Sequence, residues 1–155
     1  MASQYQGPGA TLWAHMPPPA ECLAILVGCA EVVVFGLGGL ANPSDFSNGY
    51  GLPIDAATEG VQATQSQKTQ SALVKAIASR HVQNGALILT FGLYTRNRTA
   101  LGFAVAYSAI SALADTLLVK NNGVDSLAGG HVIAALNSLL VGGALLYWKR
   151  DDKIW

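Results

Sequence analysis

The chain has 155 residues, of which 51% are apolar and only 12% charged, with nine basic and nine acidic side chains and no net charge. A soluble domain has about a quarter of its residues charged, so an ordinary soluble domain is a poor fit. The balanced charge leaves nucleic acid without an electrostatic foothold.

Residues 1–20 read as a flexible tail rich in Gly, Gln and Ser, with Trp13 suited to a membrane interface. The run "MPPPAE" ends it: Pro17, Pro18 and Pro19 stop the preceding chain, and Glu21 suits a first helical turn. No Lys or Arg precedes the apolar stretch that follows, which argues against an ordinary secretory signal.

Four stretches approach the roughly 20 apolar residues a bilayer requires. They are Cys22–Ala41, Leu73–Tyr94, Thr99–Val119 and Ala128–Trp148. The second is the most polar, carrying Lys75, Arg80, His81, Gln83 and Asn84. The expected fold is all-α: a four-helix transmembrane bundle over residues 21–148, with a long loop between helices one and two and a charged tail over 149–155. Cys22 and Cys29 fall on one helix face about 10 Å apart, too far for a disulfide, and read as small core residues.

The connections differ in kind. Helices two and three are joined by the basic turn "TRNRT", and helices three and four by "KNNGVDSLA", where Asn-Asn-Gly signals a turn. Roughly 30 residues separate helices one and two, too many for an idle link. Their first half, "NPSDFSNGYGLPI", suits a re-entrant or interfacial cap. Their second half, "QATQSQKTQS", reads as a solvated helix or a polar loop.

Basic residues set the orientation. Arg96, Arg98, Lys149, Arg150 and Lys153 lie on one side, and Lys68, Lys75 and Lys120 on the other. The excess places both termini in the cytoplasm, with Tyr94, Tyr147 and Trp148 as an aromatic belt on that face. The Asn97-Arg98-Thr99 sequon is then unused.

Each expected span carries an ionisable group. Counted from the non-cytoplasmic side, Glu31 lies about 15 Å deep, Arg80 about 10 Å, and Asp115 and His131 about 5 Å. A charge at the bilayer centre costs about 2.5–3.5 kcal/mol on insertion scales. The favourable arrangement turns these groups inward, where Arg80 can neutralise Asp115 or Glu31. Helical spacing supports this. Arg80, Gln83 and Asn84 share a face, as do Ser108, Ser111 and Asp115, and His131 and Ser138 share another. His81 points about 100° away from Arg80 and is expected at the interface. The result is a polar pocket capped by the first loop. Such a cluster serves either as structural glue between helices or as a functional site, the default reading of intramembrane ionisable groups. A metal needs more His or a tighter carboxylate set, so none is expected.

The segments "RHVQNGALILTFGLYTRNRTALG", "SALADTLLV" and "GGHVIAAL" resemble an uncharacterised family of small four-helix integral membrane proteins of fungi and bacteria, some encoded beside secondary-metabolite genes. The likeness runs from about Cys22 to Trp148, and its distinctive positions fall on Arg80, Gly85, Asp115 and His131. "PSDFSNGYGLP" is similar to the family's first loop, whereas "QATQSQKTQS" looks like a local extension. The resemblance supports architecture far more than function; the expected location is the endoplasmic reticulum, as a multi-pass membrane protein. A looser similarity is to small fungal membrane cyclases and anthrone oxygenases, at the level of fold alone.

Two classes of function follow. One is a cofactor-free membrane cyclase, isomerase or oxygenase acting on a lipophilic metabolite that enters from the bilayer. Burial favours the neutral form of a carboxylic acid, and Glu31, the deepest, is the candidate acid. Asp115 would pair with Arg80 and orient His131 as the base, and Arg80 would stabilise developing negative charge. The other class is a non-enzymatic transporter, lipid-binding protein or assembly subunit with a structural polar core.

Overall fold

A computed structural model describes residues 18–57 and 60–147. Trp13, Trp148 and the charges of the C-terminal tail lie outside the described residues. Among those described, the secondary structure is entirely helical.

Helix α1 (Pro19–Ala41) starts with proline in its first turn, where the missing N–H is harmless. It widens into a π-helical segment over Glu31–Leu37 before closing as α-helix. The expected cap is itself a helix, α2 (Pro43–Tyr50). Asn42 caps it by accepting from the Asp45 N–H, and Gly51 ends it in the left-handed region at φ 93°.

Helix α3 (Gln65–Leu89) extends through a second π-helical segment to Tyr94. It begins eight residues before the expected span at Leu73. The polar run is therefore helix from Gln65 on, started by a capping box in which Thr64 and Gln67 each satisfy the other's backbone N–H. Asp55 ties the preceding loop to this extension: its N–H donates to Gln70, and its carboxylate accepts from Gln67. Helix α4 (Arg98–Asn122) is capped by Asn97, which accepts the Ala100 N–H at 2.9 Å. A short 3-10 turn, Asp125–Leu127, leads into α5 (Ala128–Tyr147).

Three helical stretches are long and apolar enough to cross a membrane: Pro19–Ala41, Arg98–Asn122 and Asp125–Tyr147. Helix α3 is not among them, because its lysines, Arg80 and amide side chains lower its hydropathy. The outer surface carries Leu26, Val33, Ile110, Leu117, Ile133 and Leu140, all exposed. An apolar exterior over long apolar helices is the pattern of a membrane protein, whose outer face meets lipid rather than water.

Two apolar clusters hold the bundle. At one end Ala24, Ile88, Leu101, Val105, Val141 and Leu145 pack together. At the other, Tyr50, Val119 and Ala128 pack with Phe46, Leu52 and Ile77. The Pro19–Ala30 half of α1 packs on both α3 and α5, whereas its π-helical half packs chiefly on α3. The bundle is thus closed at the first cluster and opens toward the second, where α2 lies across it.

The closed end holds an ion pair that sequence reading did not anticipate. Arg98 Nε lies 3.0 Å from Glu21 Oε1, with the two side chains 7% and 0% exposed, and also donates to the Leu145 carbonyl at 3.2 Å. Glu21 therefore does more than start a helix. It joins α1 to the start of α4, while Arg98 reaches the end of α5. Tyr94 and Tyr147 are strongly exposed, and both terminate helices at this same end.

Candidate functional site

Between the two clusters lies a cavity of about 890 Å³. Glu31, Arg80, Asp115 and His131 all line it, as do Gln83, Asn84, Ser108, Ser111 and Ser138. Helical periodicity thus brings together the polar residues of four helices. The capping helix adds Phe46 and Tyr50.

Arg80 of α3 reaches Asp115 of α4 through a single contact, Nη2 to Oδ1 at 3.3 Å. The Asp115 side chain is 6% exposed and that of Arg80 50%. The guanidinium group is therefore paired through one nitrogen while half of the Arg80 side-chain surface stays open. Deeper in the cavity, Asn84 and Ser108 exchange hydrogen bonds at 3.0 and 3.2 Å, again linking α3 to α4.

Glu31 is engaged differently from expectation. Its Oε2 lies 2.6 Å from Nδ1 of His81, and both side chains are 17% exposed. His81 is thus not an interfacial residue. It does point away from Arg80, but α3 is flanked by α1 on one side and α4 on the other. Both directions therefore face the interior. The ring is enclosed by Phe35, Phe46 and Tyr50, with centroids 5.5, 6.1 and 6.0 Å away. Its other nitrogen, Nε2, is buried without a hydrogen-bond partner.

The approach that permits this pair is set by Gly85. A Cβ there would lie 2.6 Å from the Gly28 carbonyl oxygen and 2.8 Å from Glu31 Cβ. The π-helical segment beginning at Glu31 belongs to a class of helix distortion frequent at functional sites.

His131 also differs from expectation. Its Nε2 bonds the Tyr50 carbonyl oxygen at 2.9 Å, and its ring packs edge-on against Tyr50 at 4.6 Å. A carbonyl only accepts, so Nε2 carries the hydrogen. Among the described residues no hydrogen bond joins His131 to Asp115, because Asp115 is turned to Arg80. His131 instead fastens the capping helix to α5. A second fastening is the Val124 N–H, which donates to the Gly51 carbonyl at 2.9 Å.

Tyr50 was not among the residues singled out from sequence. It is 7% exposed, and its hydroxyl is buried beside Arg80 and Asp115 without a hydrogen bond of standard geometry. Burial, and then the neighbouring Asp115 carboxylate, hold this phenol well above its usual range. It therefore remains an O–H donor. The i, i+4 spacing of Phe46 and Tyr50 was the available signal: it makes one aromatic face on a short helix.

Among the described residues no three His, Cys, Asp or Glu side chains converge as a metal site would require. What the cavity offers is a carboxylate–imidazole pair, a half-open guanidinium group and a protonated phenol, set in apolar walls.

Residues 29–145 match the family described as a domain of unknown function, DUF4267. The chain belongs to this family. The matched segment of the DUF4267 domain starts two residues before Glu31 and includes every cavity residue named above, whereas Glu21 precedes it. No curated protein and no solved structure matches the chain.

Proposed function

We propose that this DUF4267 protein is a membrane-embedded acid/base enzyme, a cyclase or isomerase acting on a lipophilic metabolite. In this reading α3 supplies the fourth span, its polar face turned to the cavity, and both termini lie in the cytoplasm. The observation that carries the proposal is the Glu31–His81 pair: one ring nitrogen is held by a carboxylate and the other is buried without a partner, on a histidine that lines the cavity.

The chemistry follows from the arrangement. With Glu31 ionised, Nδ1–H donates to it and Nε2 keeps its lone pair. A carboxylate behind an imidazole fixes its tautomer and orientation and stabilises the imidazolium that forms on proton uptake. His81 thus takes the role of base that sequence reading gave to His131, and Glu31 becomes its positioning partner rather than a free acid. Arg80, kept in place by Asp115, faces negative charge that develops on the substrate. His131 holds the lid.

Proton transfer alone changes no elemental composition, so precursor and product are isomers. The test is metabolite profiling of a deletion strain complemented with wild type or His81→Ala. The expected result is one accumulating compound of the same mass as a missing product, cleared by wild type and not by His81→Ala. Unchanged compounds redistributed across the membrane would instead mark a transporter, and full complementation by His81→Ala would remove the base.

A further inference from the structure

The cavity also constrains the kind of molecule on which His81 acts. A base alone can remove a proton from carbon only if the electrons left behind have somewhere to go. Two hydrogen-bond donors, Arg80 and the Tyr50 hydroxyl, lie beside each other in the cavity lining. Arg80 gives one N–H to Asp115 and has half of its side-chain surface open. The Tyr50 hydroxyl is buried between Arg80 and Asp115, without a hydrogen bond of standard geometry to either. A buried hydroxyl without a well-formed hydrogen bond is left poorly satisfied, and an acceptor oxygen on a ligand would complete it.

We infer that the cavity takes a lipophilic carbonyl compound with an acidic hydrogen next to the carbonyl, its oxygen bound between Arg80 and the Tyr50 hydroxyl. This rests on the acid/base reading above and narrows it. His81 Nε2 removes the proton from the carbon beside the carbonyl. The C–H electron pair becomes a carbon–carbon double bond, and the carbonyl π pair moves to oxygen. Arg80 and Tyr50 donate to that oxygen as its charge grows. The substrate therefore also carries a double bond one carbon further out (a β,γ-unsaturated carbonyl), and the imidazolium returns the proton to the far carbon of the resulting dienolate, which moves the double bond into conjugation and restores the carbonyl. Every atom and electron of the substrate is retained, and no further reactant is needed.

The asymmetry of the walls suits such a molecule. Donors and imidazole cluster under the capping helix, whereas Leu87, Ala104 and Tyr107 line the side away from it, where the polar groups of Asn84 and Ser108 are bonded to each other. A polar head therefore sits at the lid and an apolar body extends toward the closed end.

Phenols test the assignment, because a phenolate places a partial negative oxygen on a flat apolar frame as an enolate does. Full-length protein in lipid nanodiscs is titrated with 2-naphthol, 4-phenylphenol and 4-pentylphenol, each against its own methyl ether. At least one phenol is expected to bind tenfold or more tighter than its ether, and ring fluorination that makes the phenol more acidic should widen the gap. Tyr50→Phe, which removes that hydroxyl, should reduce that preference severalfold. Arg80→Gln should reduce it further where the variant folds. Phenols that bind no better than their ethers, or a Tyr50→Phe variant with undiminished preference, would overturn the assignment. If that happens while His81→Ala still abolishes product in the complementation test, the carbonyl assignment falls and the acid/base reading stands.

Discussion

Glu31 and His81 meet across the α1–α3 contact with 2.6 Å between Oε2 and Nδ1, in a wall enclosed by aromatic rings. Each group is costly to place in a membrane alone, and each satisfies the other. The same pairing leaves His81 Nε2 without a partner, so the contact stabilises the bundle and prepares a base at once.

Glu31→Gln separates these two roles. The amide can still accept from Nδ1–H through its oxygen but cannot stabilise an imidazolium. Product formation should fall about 10²–10⁴-fold, the usual scale for general-base catalysis. Protein level in the membrane should stay near wild type, measured by quantitative immunoblot. A variant lost from the membrane in proportion to its activity would assign Glu31 to structure alone.

Gly85→Val would force α1 and α3 apart at the level of the pair, because even a Cβ meets the Gly28 carbonyl at 2.6 Å. Overpacking of this kind costs about 1–3 kcal/mol. The expected outcome is a lower thermal aggregation temperature in detergent, with activity lost before fold. Gly129→Ala is the control, since nothing lies within 4 Å of a Cβ there.

The buried Glu21–Arg98 pair predicts a different signature. Glu21→Ala leaves Arg98 at the closed end without its carboxylate, and breaking a buried pair costs about 3–5 kcal/mol. The double variant Glu21→Leu with Arg98→Leu removes both charges and should recover much of that loss. Equal instability of the single and double variants, read by size-exclusion chromatography after heating, would contradict this account.

Much of this was legible in the sequence, for physical reasons. Length and composition alone reveal α1, α4 and α5, because a bilayer demands both. Periodicity places Arg80, Gln83 and Asn84, and likewise Ser108, Ser111 and Asp115, on shared faces that line one cavity. Other features depend on tertiary geometry. His81 faces inward only because α3 is flanked on two sides. Glu21 meets Arg98 only because α1 and α4 begin at the same end. The "TQSQ" capping box is readable at Thr64, yet the polar run after it has no apolar stripe to distinguish helix from loop. Tyr50 enters the site through α2, whose position is set by His131 and Gly51 rather than by local pattern.

Topology gives a further prediction. Cysteines introduced at Arg96 and after Lys153 should resist an impermeant label applied outside sealed vesicles of native orientation, and one at Ser66 should react. The reverse pattern would invert the orientation drawn from basic residues.

The most direct measurement is conversion in heavy water. Purified protein in nanodiscs is incubated in D2O with a lipid extract from the deletion strain, and the product is read by mass spectrometry. A proton that passes through an exchangeable imidazole predicts a product isomeric with its precursor and carrying deuterium at carbon, with conversion at least about 10²-fold slower in His81→Ala. A product of altered elemental composition, or one formed by His81→Ala at the wild-type rate, would contradict the assignment of the Glu31–His81 pair as the working base.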